Sequence, residues 1–165
     1  MDPLTLIYLP DDDGMVTRIA TWHQAEWGYL TGRSVALRVA EFAPQRNSRQ
    51  VPLTRVALVD GEAVGNASLL TEDMDTHPDL TPWLASVYVQ PAHRRRGIGS
   101  ALCRAVMEDA RRLGLPRVWL YTPSQAALYA ALGWTHAGEE NYHGEMVTLM
   151  HYDPAGGSGQ GGDSA

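Results

Sequence analysis

A mixed α/β layer organised around a strand–helix–strand crossover is the fold class the sequence predicts, and three observations carry the prediction. Short β-rich runs alternate with helical periodicities from residue 4 to residue 152, the pattern of a sheet whose faces are covered by helices. Asp60-Gly61 stands between two β-rich runs, and that dipeptide tolerates the positive φ angles of a tight hairpin turn. "WLASVYV" (83–89) leads through "QPAHRRRGIGS" into a long amphipathic stretch and then another β-rich run, so the chain crosses over between two strands.

Taken in order, "LTLIYLP" (4–10) reads as a strand stopped by Pro10, and the acidic "DDDG" after it can cap a helix. Ile19, Trp22, His23, Glu26 and Trp27 recur at helical spacing between Met15 and Leu30, and a second helix is expected over Val35–Phe42. "VPLTRVALVDGEAVGNASLLTED" supplies the hairpin. "DMDTHPDLTP" is a polar loop, and 83–89 is the next strand, closed by Gln90-Pro91. The helix after the turn places Ile98, Leu102, Val106, Ala110 and Leu113 on one face. Arg104, Glu108, Arg111 and Arg112 lie on the other, spaced for i,i+4 pairing. Gly114 ends that helix and Pro116 prevents its continuation. "RVWLYT" (117–122) is a strand, a short helix runs from about Ser124 to Leu132, and "EMVTLMHY" (145–152) is the last strand.

Length and composition set the domain count. A chain of 165 residues with 44% hydrophobic content can bury one sizeable core, so residues 1–153 are expected to form a single domain. "PAGGSGQGGDSA" (154–165) is Gly/Ser-rich with nothing to bury and reads as a flexible tail. A formal net charge of −6 argues against a nucleic-acid partner, as does the lack of aromatic residues interleaved with the arginines. The single cysteine, Cys103, rules out an internal disulfide and speaks against a cysteine-based metal site, and the histidines show no metal spacing, so no metal is expected. The N-terminal segment lacks a basic leader, and no window approaches the roughly 18 apolar residues of a spanning helix. A soluble, cytoplasmic protein with no membrane partner is the expectation.

Chemistry concentrates at "RRRGIGS" (94–100). A helix beginning at Gly97 leaves its first N–H groups without intrahelical partners, and its dipole adds partial positive charge there. Glycines at 97 and 99 clear space for a phosphate, and Arg94, Arg95 and Arg96 add charge. The same residues can serve merely as a shaped turn with a solvated face. The strand before, the helix after and the acidic remainder of the chain favour an anion. A nucleotide-triphosphate loop needs a lysine, which this chain lacks altogether, and the dinucleotide fingerprint needs a third glycine where Leu102 stands. A pyrophosphate on backbone amides is what remains.

Arg94-x-x-Gly97-x-Gly99, preceded by "WLASVYVQPAH" and followed by "ALCRAV", closely resembles the acetyl-CoA loop of the GNAT superfamily of acetyltransferases. "ALYAALGW" (127–134) resembles the family's Leu-Tyr-x-x-x-Gly-Phe block, with Tyr129 at the tyrosine and Trp134 in place of Phe. The resemblance is strong over 83–134 and extends weakly over nearly the whole chain. It implies a central, mostly antiparallel sheet with splayed middle strands flanked by helices. It also implies acetyl-CoA as co-substrate, with the pyrophosphate on the amides from Arg95 through Gly97, Ile98 and Gly99 to Ser100, and the pantetheine arm along Val87 and Val89. Thr122 stands where many relatives carry a cofactor-contacting Asn.

The implied activity is N-acetyl transfer to a primary amine of a small molecule or peptide by direct attack in a ternary complex. Tyr129 is then the acid for the departing thiolate, and an N–H near Val87 steadies the oxyanion. "WLASVYV" has no carboxylate to act as base, so the candidates are water, which Ser86 could orient, or Glu26, Asp73, Asp75 or His77. The stretches "TWHQAEWGYL", "EDMDTHPD" and "GEENYHGE" can line an acceptor pocket of aromatic and acidic walls. The alternative is an acyl-CoA-binding sensor or scaffold without turnover. Relatives often form homodimers, which makes a second copy a candidate partner.

Overall fold

The computed structural model describes residues 3–31 and 33–154. Its strands are β1 (Leu4–Tyr8), β2 (Leu53–Val59), β3 (Glu62–Leu70), β4 (Trp83–Val89), β5 (Val118–Thr122), β6 (Thr135–Tyr142) and β7 (Glu145–Tyr152). Its α-helices are α1 (Asp13–Thr31), α2 (Val35–Phe42), α3 (Ile98–Arg112) and α4 (Ala126–Ala131). The tail expected over 154–165 lies, from residue 155 onward, outside the described residues.

All seven strands join one sheet in the order β1-β2-β3-β4-β5-β7-β6. Every neighbouring pair is antiparallel except β4 and β5, which run parallel and are joined by α3. The mixed, mostly antiparallel sheet expected from the sequence is therefore the observed one. Parallel pairing between β4 and β5 is confined to Trp83 opposite Trp119, where the Trp119 N–H also donates to the Pro82 carbonyl at 2.9 Å. Beyond that point β4 stays with β3 and β5 stays with β7, so the middle of the sheet opens like a fork.

Alternation along the strands divides the core between two faces. On one face the α3 residues Ile98, Leu102, Val106 and Ala110 pack with Leu53, Ala57, Leu69, Leu84 and Leu120. On the other, Val16, Ile19 and Trp22 of α1 and Phe42 of α2 pack with Val56, Ala63 and Tyr88. A third cluster, Met74, Trp83, Val147 and Leu149, closes the base of the fork. Asp12 accepts the Met15 N–H at 3.1 Å and so caps the start of α1. Asp60 and Gly61 adopt φ of 52° and 77°, the left-handed pair that a two-residue hairpin requires.

Two expectations need correction. Residues 135–142 form β6, an edge strand paired with β7 through a turn at His143 and Gly144 (φ 53° and 88°). Its exposed side chains and Gly138 give it no apolar alternation to read. On α3, Glu108 pairs with Arg111 at i,i+3, while Arg112 turns to the Ser48 carbonyl and to Asp109. Asp109 is 1% exposed and is also held bidentately by Arg55 and by the Tyr8 hydroxyl, which ties α3 to β1 and β2.

Candidate active site

The fork is the site's frame. Its cleft has a volume of about 1220 Å³ and is walled by β4 from Leu84 to Val87, β5 from Leu120 to Thr122, Tyr129 of α4, the β3–β4 loop from Glu72 to Asp75, and the β6–β7 turn. Trp27 of α1 closes one side. Among the described residues no group of histidine, cysteine and carboxylate side chains is arranged to hold a metal ion. No helix there is long and apolar enough to cross a membrane.

At the end of β4 the chain enters the arginine–glycine turn. Gly97 is the N-cap of α3 with φ 79°, and Arg95 also takes a left-handed φ of 65°. The helix ladder starts with the Ala101 N–H on the Gly97 carbonyl at 3.0 Å, so the N–H groups of Ile98, Gly99 and Ser100 precede it. Ile98 is buried and anchors this end of the helix. A Cβ on Gly99 would meet only Val89 Cγ2, at an ordinary 3.7 Å, so no clash within the protein demands glycine there. Arg94 folds back: its Nε donates to the Val89 carbonyl at 2.8 Å and its guanidinium carbon lies 5.5 Å from the Tyr88 ring centroid. Arg95 and Arg96 are exposed.

Strand β4 carries a second irregularity. Asn66 pairs with Tyr88 and Ser68 with Ala85, so Ser86 and Val87 together face the single residue Ala67, which is a β-bulge. Ser86 has φ 56°, rare for a residue with a side chain. Ser86 and Val87 both line the cleft. Val89, by contrast, pairs with Gly65 of β3 and gives its carbonyl to Arg94. Gly65 is required by close approach, since a Cβ there would sit 2.7 Å from the Tyr88 carbonyl oxygen.

Across the fork, Tyr129 is 9% exposed and lines the cleft. Burial, and then the neighbouring Cys103, push its phenol above the usual tyrosine range, so it keeps its proton at neutral pH. Cys103 is 1% exposed, and burial pushes its thiol up to about 12, which leaves it inert as a nucleophile. Trp134 lies edge-on to Tyr129 at 6.2 Å, so the Tyr129 and Trp134 block is one packed unit. Thr122 is buried on the cleft wall, where its hydroxyl accepts the N–H groups of Gln125 at 2.9 Å and Ser124 at 3.3 Å and caps the approach to α4.

The four candidate bases separate. Glu26 is exposed on α1 and does not line the cleft. His77 bonds Glu140 at 2.7 Å and also stands off the cleft. Asp75 lines the cleft and faces His143 at 3.1 Å, with its N–H donated to the Tyr142 hydroxyl. Asp73 lines the cleft half-buried, and its enclosure pushes the carboxyl up to about 7. Tyr121 beside it is raised by burial first and then by the Asp73 charge.

Sequence reasoning missed His23 and Asn66 as a pair. His23 is 3% exposed, its Nε2 lies 2.9 Å from Asn66 Oδ1, and burial pushes its imidazole down to about 4. The available signal was a polar residue in each of two apolar contexts, the core face of α1 and the middle of β3.

Known proteins share this architecture. The family model described as Acetyltransferase (GNAT) family matches residues 16–134. A mycothiol acetyltransferase of Nocardiopsis dassonvillei is 39% identical over 105 residues, covering 62% of this chain and 28% of that protein. A putative acetyltransferase from Salmonella typhimurium, solved with its cofactor acetyl-CoA, superposes with a TM-score of 0.71 at 20% identity over 92% of this chain and 94% of that one. The aminoglycoside 6'-N-acetyltransferase from Enterococcus faecium does so with a TM-score of 0.72 at 15% identity, over 91% and 97%. The chain spans about a quarter of the length of the mycothiol acetyltransferase it matches.

Proposed function

Because this chain belongs to the GNAT acetyltransferase family, we propose that it transfers an acetyl group from acetyl-CoA to a primary amine of a small molecule or peptide by direct attack in a ternary complex. One observation carries the reading. The β4–β5 fork brings Val87 and Tyr129 onto one cleft, and β4 runs from that cleft into the turn at 94–100 that starts α3.

The pyrophosphate of acetyl-CoA rests on the amides from Arg95 to Ser100, aided by the helix dipole and the exposed Arg95 and Arg96. The pantetheine arm enters the fork along Val87 and Val89, taking the place of the missing strand pairing, and Thr122 borders it. The acceptor nitrogen attacks the thioester carbon, an N–C bond forms, and the carbonyl oxygen takes the negative charge, which the Val87 N–H receives. Collapse breaks the C–S bond, and the Tyr129 hydroxyl protonates the departing thiolate. Before attack Asp73 takes one proton from the acceptor's ammonium, and the second, lost from nitrogen as the amide forms, returns through solvent to the Tyr129 phenolate. The raised carboxyl of Asp73 is matched to the first of these transfers near neutral pH. Arg33 and Arg38 also line the cleft, but the acidic residues Glu72, Asp73, Asp75 and Glu145 outnumber them and, with the rings of Trp27, Tyr121 and Tyr142, favour a cationic acceptor.

Incubation with acetyl-CoA and a panel of amino sugars, amino acids, polyamines and peptide N-termini, following free thiol, tests the reading. Release of thiol that depends on one of these amines is the expected result. Tight acetyl-CoA binding with no amine-dependent release would favour the sensor or scaffold and overturn the transfer reaction.

A further inference from the structure

The bulge in β4 raises a question that family membership does not answer, namely what holds Ser86 and Val87 in an arrangement their own side chains disfavour. Neither is glycine, and nothing local to "LASVYV" requires φ of 56° at Ser86. The support comes from outside the strand. Asn66 of β3, fully buried, donates its Nδ2 to the Ser86 carbonyl at 3.1 Å. That leaves its Oδ1 for His23 of α1, 2.9 Å away, so the His23 Nε2 carries the hydrogen. Trp27, Phe42 and Tyr88 surround the imidazole with ring centroids at 5.0, 5.7 and 6.3 Å, which fixes its plane.

The geometry of the peptide unit supplies the consequence. The Ser86 carbonyl and the Val87 N–H belong to one planar trans peptide, and they point in opposite directions. Asn66 grips that unit by its oxygen from the core side. The N–H is therefore turned away from Asn66, toward the cleft that Ser86 and Val87 line. We infer that His23 and Asn66 are positioning residues for the acyl-transfer reaction: the chain His23 Nε2–H to Asn66 Oδ1, and Asn66 Nδ2–H to the Ser86 carbonyl, aims the Val87 N–H at the developing oxyanion.

This inference rests on the transfer reading above and adds to it two residues that touch neither substrate. Groups acting through the Val87 N–H stabilise the transition state more than the bound thioester, so their loss lowers kcat and leaves the acetyl-CoA KM in place. A purely structural pair would not divide its effects that way. Neutral His23 suffices for the role, because burial keeps the ring unprotonated down to about pH 4 and its Nε2–H tautomer still donates to Asn66 Oδ1.

The test compares wild type with Asn66→Leu, His23→Phe and His23→Gln, the last retaining a side-chain N–H donor. Asn66→Leu and His23→Phe are expected to lower kcat on the order of 100-fold, the scale of losing one oxyanion donor, with acetyl-CoA KM within about twofold. His23→Gln is expected to recover most of the loss. If Asn66→Leu does not fold, the His23→Phe and His23→Gln pair decides. Wild-type kcat in His23→Phe, equal loss in His23→Gln, or a loss confined to acetyl-CoA KM overturns the inference. Should wild type itself turn over no amine, the transfer reading fails separately, and the Val87 amide proton in NMR decides this one. A shift on adding acetyl-CoA that is present in wild type and absent in His23→Phe supports it, and the same shift in both contradicts it.

Discussion

Two irregularities bracket the end of β4, and they are built differently. The turn at 94–100 is shaped locally: Gly97 takes φ 79° because glycine can, and Arg94 folds back five residues to the Val89 carbonyl. The bulge at 86–87 is shaped at a distance, through Asn66, twenty residues upstream of Ser86, and His23, forty-three residues upstream of Asn66. A local device can be read in sequence and fails locally. A device assembled from three elements fails when any of them shifts. In the proposed reaction the turn holds the coenzyme and the cleft around the bulge performs the chemistry, so variants of the two regions should separate binding from turnover.

The largest separation is expected on the cleft side. Tyr129→Phe removes the proposed proton donor and should lower kcat by about 10²- to 10⁴-fold, the range of general acid catalysis, while calorimetry finds acetyl-CoA affinity nearly unchanged. Asp73→Asn should follow. In wild type, kcat/KM rises with pH as Asp73 ionises and levels off above about 7. The variant should lose that limb and about 100-fold in rate, read from the pH profile.

His23 offers a stability measurement of the distant device. Its folded value of about 4 lies below the ordinary 6.5, because burial disfavours the imidazolium. Between those values the unfolded chain binds a proton that the folded chain refuses. Stability therefore falls as pH drops from 6.5 to 4, by about 3 kcal/mol for this group, and is fully present above that window. His23→Gln should flatten this part of the stability-versus-pH curve in urea titrations.

On the turn side, Gly97→Val places a β-branched side chain at positive φ, which costs about 1–2 kcal/mol or more. Acetyl-CoA affinity should weaken about tenfold, and kcat at saturation should stay within a few-fold. The smallest effect is expected at Ser86→Gly. Glycine accepts φ 56° without strain, so unfolding stability should move by about 1 kcal/mol or less, with the Val87 N–H still aimed through Asn66.

The same contrast explains what the sequence reveals. Strands β4 and β7 and helix α2 were legible to their end residues, because apolar patterning and flanking Pro or Gly mark them. The hairpin at Asp60-Gly61 and the helix after Gly97 were legible for the same local reason. Strand β6 was not, since an exposed edge strand has neither apolar face nor β-rich composition. The presence of Tyr129 and Thr122 on the cleft wall was readable from their place in a motif. The separation of Asp73 from Glu26 and His77 was not, because it depends on which loop the fork faces. Asn66 and His23 make sense only together, and no spacing in one strand or one helix announces a bond between two.

A crystal structure of the protein with CoA bound tests the central claim most directly. The account predicts the diphosphate on the amides of residues 95–100 and the thiol inside the fork, between Val87 and Tyr129. Density for the coenzyme elsewhere on the surface, or a fork filled by the protein's own chain while CoA stays unbound, would contradict it.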